Sequence, residues 1–304
     1  MRERFVHVTS ELLDQHEGLA LVLAEIGVGL FKDAGVISRH PERVINVGIR
    51  EQLMVSVAAG MALEGFRPII HSYAPFAVER PYEQLKLDFE HQGVSGTVVS
   101  VGASYDSAAS GRTHQAPEDV ALVRTLPGWE VHVPGHPDEA EAVLRAAVAS
   151  QGSAYVRLSD EANLTARRFK QGSLHLERRG STDAPTILAV GPMLDTVIAA
   201  TADMDVTVLY AVTVRPLDGR ALRELISVPD VVLVEPYLAG TSVPEVSAAL
   251  SDTPHRLLGV GVPLGEHRKY GTAAEHNAAH GLDESGIRAS IAGFIKNRVS
   301  VQAR

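Results

Sequence analysis

Short apolar runs rich in β-branched residues alternate along the whole chain with longer segments whose apolar residues recur at helical spacing. In the first half, this pattern predicts strands at residues 19–23, 68–73, 97–101, 129–133 and 154–158, with helices between them. Strands that alternate with helices are typical of βαβ units, in which neighbouring strands run parallel. The sequence therefore predicts an α/β fold built on mostly parallel twisted sheets flanked by helices.

A polar stretch from residue 160 to 184 interrupts this alternation, which then resumes. We expect further strands at 186–191, 206–211, 231–235 and 257–260, and helices at 195–202, 219–226, 243–250 and 283–294. A chain of 304 residues is also long enough for two cores. The prediction is a first domain at 1–165, a connection at 166–183 and a second domain at 184–304. The histidine-rich stretch 267–280 receives no assignment.

Composition excludes several classes of function. The chain has 28 Lys and Arg against 37 Asp and Glu, and this net charge of −9 argues against a nucleic acid partner. It has no cysteine, which excludes disulfides, thiol catalysis and cysteine-based zinc sites. The N-terminus lacks the apolar core of a signal peptide, and no stretch approaches the roughly 18 apolar residues of a membrane span. A cytoplasmic protein without membrane association is expected.

The densest group of candidate site residues is the run Gly48-Ile49-Arg50-Glu51-Gln52. Here a short predicted strand ends in a glycine turn, and a glutamate begins the next helix. Open α/β sheets bind ligands at the carboxyl ends of their strands. However, Glu51 would also suit a helix N-terminus for purely electrostatic reasons, so its position alone leaves both interpretations open.

Two further groups follow other predicted strands. Tyr73 and Phe76 lie three residues apart, and they could form a flat wall for a ring-shaped ligand or simply belong to the core. A polar loop of small residues then leads to His114, just before a helix that begins near Pro117. A loop histidine can transfer protons near neutral pH, although a solvated or structural role is equally compatible with the sequence.

Together, these three groups resemble the transketolase family, specifically its pyrimidine-binding domain followed by its C-terminal domain. The similarity covers about residues 21–159 and continues more loosely to the end of the chain. Residues 48–52 resemble the family's block around its catalytic glutamate, and 72–76 resemble the aromatic segment that packs on the aminopyrimidine. Residues 111–115, Gly-Arg-Thr-His-Gln, resemble the substrate loop. Three such motifs in the family's order form a specific pattern.

The resemblance implies thiamine diphosphate as cofactor and Glu51 and His114 as catalytic residues. Glu51 would bond the pyrimidine ring nitrogen N1′ and favour the tautomer that accepts the C2 proton. The residues expected to contact the cofactor are Glu51, Tyr73, Phe76 and Arg80. The residues expected to contact substrate are Ser110, Arg112, His114 and Gln115. No metal ligand is expected on this chain.

The Gly-Asp-Gly motif with which the family holds the metal and the diphosphate is missing from these 304 residues. A partner subunit carrying that motif would therefore hold Mg²⁺ and the diphosphate, and the cofactor would be shared across the subunit interface. The resemblance thus implies the small subunit of a split transketolase, active only with its partner and assembled as an α2β2 heterotetramer. The expected reaction is two-carbon ketol transfer from a ketose to an aldehyde, in carbohydrate metabolism.

At four positions the sequence departs from the family, whose aspartate, histidine, serine and arginine are replaced by Ser110, Gly102, Glu25 and Asp160. Lost phosphate donors and added carboxylates would repel a phosphate. We therefore expect an acceptor other than a simple sugar phosphate, although a relocated anion site remains open at Arg80, Arg112 or Arg157.

Two other functions fit the sequence less closely. The beta subunit of a 2-oxoacid dehydrogenase first component is also a separate chain with a catalytic glutamate, but the Thr113-His114-Gln115 loop favours transketolase. A non-catalytic regulatory partner could keep the fold, but the retention of Glu51 and His114 argues against it.

Overall fold

A computed structural model gives the fold and describes residues 1–168, 170, 172–266 and 268–302, with side chains through residue 297. The strands are β1 Leu19–Leu23, β2 Val44–Asn46, β3 Arg67–Tyr73, β4 Thr97–Val101, β5 Glu130–His132, β6 Ala154–Arg157, β7 Leu174–Arg178, β8 Thr186–Val190, β9 Thr207–Ala211, β10 Thr213–Arg215, β11 Asp230–Leu238 and β12 Arg256–Val262. The helices are α1 Arg2–Gln15, α2 Val28–Asp33, α3 Val36–Arg39, α4 Glu51–Leu63, α5 Tyr82–Gln84, α6 Asp119–Val123, α7 Pro137–Ala149, α8 Leu194–Ala200, α9 Gly219–Leu225, α10 Val243–Ala249, α11 Ala273–His280 and α12 Glu284–Gln302.

Within the described residues, the first sheet has seven strands in the order β10-β5-β6-β4-β3-β1-β2. All neighbours run parallel except β10, which pairs antiparallel with β5. Strand β1 is buried along its whole length, as is expected for a parallel strand with both faces covered. Helices α1 and α7 pack together on one face, and α4 packs against β1 and β3.

The second sheet, counted over the same described residues, has the order β12-β11-β8-β9-β7. It is parallel except for β7, which pairs antiparallel with β9. Because β7 lies at 174–178, the expected connection at 166–183 contains a strand of the second sheet. Conversely, β10 at 213–215 directly follows β9 of the second sheet but pairs in the first sheet. The chain therefore returns to the first sheet after it has entered the second.

The predicted α/β fold with mostly parallel sheets is confirmed, and the predicted strands lie within three residues of the observed ones. Helix α1 was not predicted, although its Phe5, Val8, Leu12 and Leu13 are all buried. Most of the unassigned stretch 267–280 also has a structure. It forms α11, which begins with a capping box between Thr272 and Glu275, while His267 lies outside the described residues. No helix among the described residues is long and apolar enough to cross a membrane.

A buried ion pair joins strand β6 of the first sheet to helix α6, which follows the loop that contains His114. The Arg157 guanidinium donates from Nε to the Asp119 carboxylate at 2.7 Å, and the two side chains are only 1% and 0% exposed. Tyr155 donates to the same carboxylate oxygen at 2.7 Å, and Arg157 also donates to the Ser104 hydroxyl at 2.6 Å. Since every partner is hydrogen-bonded, the pair is satisfied as long as it remains complete.

We expect Arg157→Met to lower the free energy of unfolding by about 3–5 kcal/mol, because it leaves the Asp119 carboxylate buried without a counter-charge. Urea denaturation of the purified chain measures this loss. The matched control is Arg220→Met, which breaks an ion pair to Glu224 whose side chains are 89% and 62% exposed. That change should leave stability nearly unaltered, and similar losses in the two variants would contradict the prediction.

Candidate functional site

The candidate site lies at the carboxyl edge of the first sheet, where the segments after four neighbouring strands meet. Glu25 follows β1, Glu51 follows β2, and Phe76 follows β3, while the loop to His114 follows β4. Parallel strands end at one edge of a sheet, so side chains far apart in sequence converge there. The three groups predicted from the sequence occupy this one edge.

Glu51 is the first residue of α4, and a tight turn at Gly48 connects it to strand β2. Gly48 has φ +71°, a left-handed conformation that glycine adopts without strain. Asn46 holds the turn, because its side-chain oxygen accepts from the backbone N–H groups of Gly48 and Glu25, both at 3.0 Å. The Glu51 carboxylate is only 5% exposed and accepts a 2.8 Å hydrogen bond from Arg80.

Three aromatic rings pack together next to Glu51's partner Arg80, and one of them, Phe76, contacts Arg80 directly. The centroid of the Phe76 ring lies 6.1 Å from that of Tyr73 and 5.0 Å from that of His114, and both pairs are edge-to-face. The Arg80 guanidinium carbon lies 3.9 Å from the Phe76 centroid. Thus the predicted cofactor residues Glu51, Phe76 and Arg80 form one contact group, which touches His114 through Phe76.

Tyr73 occupies space that a side chain at position 102 would otherwise need. Gly102 has φ +68°, and an added Cβ would lie 2.3 Å from the Tyr73 Cδ1 atom. The ring also lies edge-on to His114, with centroids 5.6 Å apart. Any side chain at position 102 would therefore require the Tyr73 ring to move.

The other predicted substrate residues are placed differently from His114. Gln115 is buried, and its amide donates to the carbonyl oxygens of Lys269 at 3.0 Å and Ala108 at 3.4 Å. Arg112 pairs with Glu118 at 2.9 Å and Glu266 at 3.5 Å. Ser110 is exposed at the end of a short helical turn. Gln115 and Arg112 therefore hold the loop through protein contacts.

Helix α11 and the residues just before it support this loop, which the sequence did not indicate. The Tyr105 ring stacks on His276 of α11 with centroids 4.0 Å apart and an angle of 8° between the planes. Tyr270 lies against Gly111, where an added Cβ would meet its ring at 2.7 Å. Residues 270–280 thus pack on the loop that carries His114. Their capping box was visible in the sequence, but their contact surface was not.

Arg2 is a further residue of the site that sequence reasoning missed. Its guanidinium carbon lies 5.9 Å from the centroid of the Tyr73 ring. Its Nε is buried, and none of the described residues accepts a hydrogen bond from that atom. The missing signal was helix α1 itself, because only its docking on the sheet brings residue 2 to the carboxyl edge.

Burial shifts the pKa values of two groups near the site, His71 and Glu79, in opposite directions. Burial lowers the pKa of His71 to about 4, and its ring packs 4.5 Å from Phe5 while Nδ1 hydrogen-bonds the Val99 carbonyl, so it is a neutral core residue. Burial first, and then the Glu118 carboxylate, raise the pKa of Glu79 to about 7. Among the described residues, no group of three or more His, Asp or Glu side chains is arranged to hold a metal ion.

The fold places the chain among α/β proteins whose ligand sites lie at the carboxyl edge of a parallel sheet. Residues 1–164 match the family described as "Transketolase, pyrimidine binding domain". This match covers more than half of the 304-residue chain, so the chain belongs to that family.

Relatives of two lengths are similar to the chain. An "Uncharacterized 33.6 kDa protein in fasciation locus" of Rhodococcoides fascians is 46% identical, and the match covers 94% of this chain and 92% of that protein. One of the subunits of the apulose-4-phosphate transketolase of Actinobacillus succinogenes is 29% identical, with 94% of both chains covered. The 1-deoxy-D-xylulose-5-phosphate synthase of Methylibium petroleiphilum is 32% identical over 83% of this chain, which spans only 42% of that enzyme.

A solved structure confirms the fold. The protein described as "Split gene transketolase, inactive beta4 tetramer" superposes with a TM-score of 0.81 at 24% identity, and the match covers 97% of each chain.

We expect Gly102→Ala to destabilise the chain more than Gly128→Ala. Both glycines have nearly the same φ, +68° and +70°, but an added Cβ meets the Tyr73 ring only at position 102. Overpacking of this kind costs about 1–3 kcal/mol beyond the shared backbone strain. Urea denaturation measures the difference, and near-ultraviolet circular dichroism reports whether Tyr73 is displaced. Equal losses of stability in the two variants would contradict the prediction, because they would mean that the Tyr73 ring moves aside at no cost.

Proposed function

We propose that the chain is the small subunit of a thiamine diphosphate-dependent transketolase that catalyses two-carbon ketol transfer from a ketose to an aldehyde. The observation that carries this proposal is the convergence of buried Glu51, the Phe76 ring and His114 at one sheet edge. The full-length similarity to a chain of an apulose-4-phosphate transketolase supports it.

The residues at this edge fit the aminopyrimidine half of the cofactor. Glu51 offers a nearly buried carboxylate whose present partner is a planar nitrogen donor, and Phe76 offers an apolar ring beside it. When bound, thiamine diphosphate would supply a carbanion that adds to the ketose carbonyl. Glu51 would accept a hydrogen bond from N1′ and so favour the required tautomer. Phe76 and Tyr73 would keep water away from that ring.

His114 would act on the substrate. Its ring is packed edge-to-face against Phe76 and Tyr73, and its Nδ1 lies 3.0 Å from the Thr113 hydroxyl. A ring held on two sides has a fixed direction, so its other nitrogen can hydrogen-bond a substrate oxygen and stabilise the charge that develops there.

Exposed apolar side chains near Glu51 support the proposal that a partner subunit binds this surface. Ile49 is 73% exposed and Leu53 is 43% exposed, so two apolar side chains flank the buried carboxylate on the surface. The metal and the diphosphate need ligands that we do not assign to this chain. We propose that a subunit carrying a Gly-Asp-Gly motif covers this surface, holds Mg²⁺ and the diphosphate, and completes an α2β2 heterotetramer.

We expect Glu51→Gln to reduce kcat of the complex reconstituted with its partner by at least about 100-fold, since the amide cannot exchange a proton with N1′. Ketose cleavage measures kcat, while gel filtration and thermal unfolding should show unchanged assembly and folding. Glu64→Gln, at the exposed far end of α4, is the matched control and should keep full activity. An active Glu51→Gln complex would rule out the proposed role of this carboxylate.

The arginines near the site differ in whether a carboxylate already neutralises them. The sequence leaves a relocated anion site open at Arg80, Arg112 or Arg157, but all three are paired with carboxylates, so we do not place the site there. Arg2 instead places a cation over Tyr73, on the same ring that contacts His114. We propose that the acceptor is an aldehyde with an anionic group that reaches Arg2, and that a simple sugar phosphate bound through the family's usual positions is not the natural acceptor.

For the reconstituted complex, we expect Arg2→Ala to raise KM for anionic aldehyde acceptors by about tenfold or more, because a charge-assisted hydrogen bond is lost. KM for the neutral acceptor glycolaldehyde should stay unchanged. Arg4→Ala is the matched control on the same helix, since Arg4 pairs with Asp138 and Glu141 instead. An equal effect of Arg2→Ala on charged and neutral acceptors would refute this assignment.

A further inference from the structure

Arg80 contacts both of the groups that the aminopyrimidine would need. Its guanidinium donates to the Glu51 carboxylate at 2.8 Å and lies over the Phe76 ring, with its carbon 3.9 Å from the centroid. A guanidinium is planar, delocalised and rich in N–H donors, so it can stack on a ring and hydrogen-bond a carboxylate at the same time. An aminopyrimidine has the same combination of properties.

The space at Phe76 does not accommodate both groups. Phe76 is only 7% exposed, with Arg80 over its ring and with Tyr73 and His114 packed edge-on. A second flat ring can therefore stack on Phe76 only if Arg80 moves away. The electrostatics agree, because a cation 2.8 Å from Glu51 opposes the approach of a protonated N1′ to the same carboxylate.

Arg80 is also able to move. Its side chain is 43% exposed, whereas that of Glu51 is 5% exposed, so the arginine can swing into solvent while the carboxylate stays in place. Its backbone is fixed independently, since the Arg80 carbonyl accepts from the Gln52 side chain at 3.3 Å and the Arg80 N–H donates to the Pro75 carbonyl at 3.0 Å. Release of Glu51 therefore requires only rotation of the Arg80 side chain.

We propose that Arg80 is a built-in surrogate for the aminopyrimidine: it neutralises Glu51 and covers Phe76, and the pyrimidine must displace it to bind. This inference rests on the proposed function and changes the expected role of Arg80 from cofactor ligand to competitor. Only molecules in which Arg80 has moved out can bind the pyrimidine. The apparent association constant is therefore the intrinsic constant multiplied by the fraction of such molecules.

The test measures binding of a pyrimidine fragment, 2-methylpyrimidin-4-amine, to the full chain by ligand-observed NMR titration. This fragment lacks the diphosphate, so the partner subunit is not needed. We expect Arg80→Ala to bind the fragment roughly tenfold more tightly than the natural chain, because one partly exposed ion pair and one cation–π contact no longer compete. Binding to Arg80→Ala that is equal, weaker or undetectable would overturn the proposal.

Three variants complete the design. Arg80→Met keeps an unbranched apolar side chain, and it should give the same tighter binding if Arg80→Ala folds poorly. Arg80→Ala combined with Glu51→Gln should lose the gain, since the fragment then lacks its carboxylate acceptor. The matched control is Lys86→Ala, an exposed cation six residues further along, which should bind like the natural chain.

The outcome also separates this inference from the proposed function. If the fragment binds the natural chain better than Arg80→Ala while Glu51 remains essential for turnover, Arg80 is a cofactor ligand and only this inference fails. If the complex stays active with Glu51→Gln, the proposed function fails, whatever the fragment does.

Discussion

Burial of the Glu51 carboxylate is the constraint around which the site is built. A carboxylate that is 5% exposed requires a counter-charge or strong donors, and in this chain Arg80 supplies them. The strand edge, the Gly48 turn and the start of α4 bring Glu51 to this position, and Asn46 holds the turn in place. Because the helix begins at Glu51, its first turn also favours the negative charge. The Phe76 ring in turn lies against the Arg80 guanidinium that pairs with Glu51.

Much of this organisation was predictable from the sequence, because it depends on local pattern. The apolar runs located the strands, and a glycine before a helix-starting glutamate located Glu51. Arg2 and the support of the His114 loop by Tyr270 and His276 could not be predicted in the same way. They arise from packing between residues that are 71 to 171 positions apart in the chain, and no local pattern specifies which segment will dock there.

The same limit explains why the expected roles of individual charged residues changed. In the sequence, Arg112 and Arg157 were free cations near a candidate anion site. In the structure, Arg112 is paired with Glu118 and Glu266, and Arg157 with Asp119, so each is already neutralised. Composition gives the number of cations, whereas their pairing with carboxylates depends on which segments pack together. The sequence could not distinguish Arg2 from the others for this reason.

Two ion pairs of this chain have similar geometry but opposite consequences, and exposure accounts for the difference. The bonds Arg157–Asp119 and Arg80–Glu51 measure 2.7 Å and 2.8 Å. Both partners of the first pair are almost completely buried, so separating them would strand a charge in the core, and the pair is permanent. In the second pair the cation is 43% exposed, and water can solvate it when it leaves. An exchangeable counter-charge satisfies Glu51 while leaving the carboxylate accessible to a ligand of matching shape, which a permanent pair would not allow.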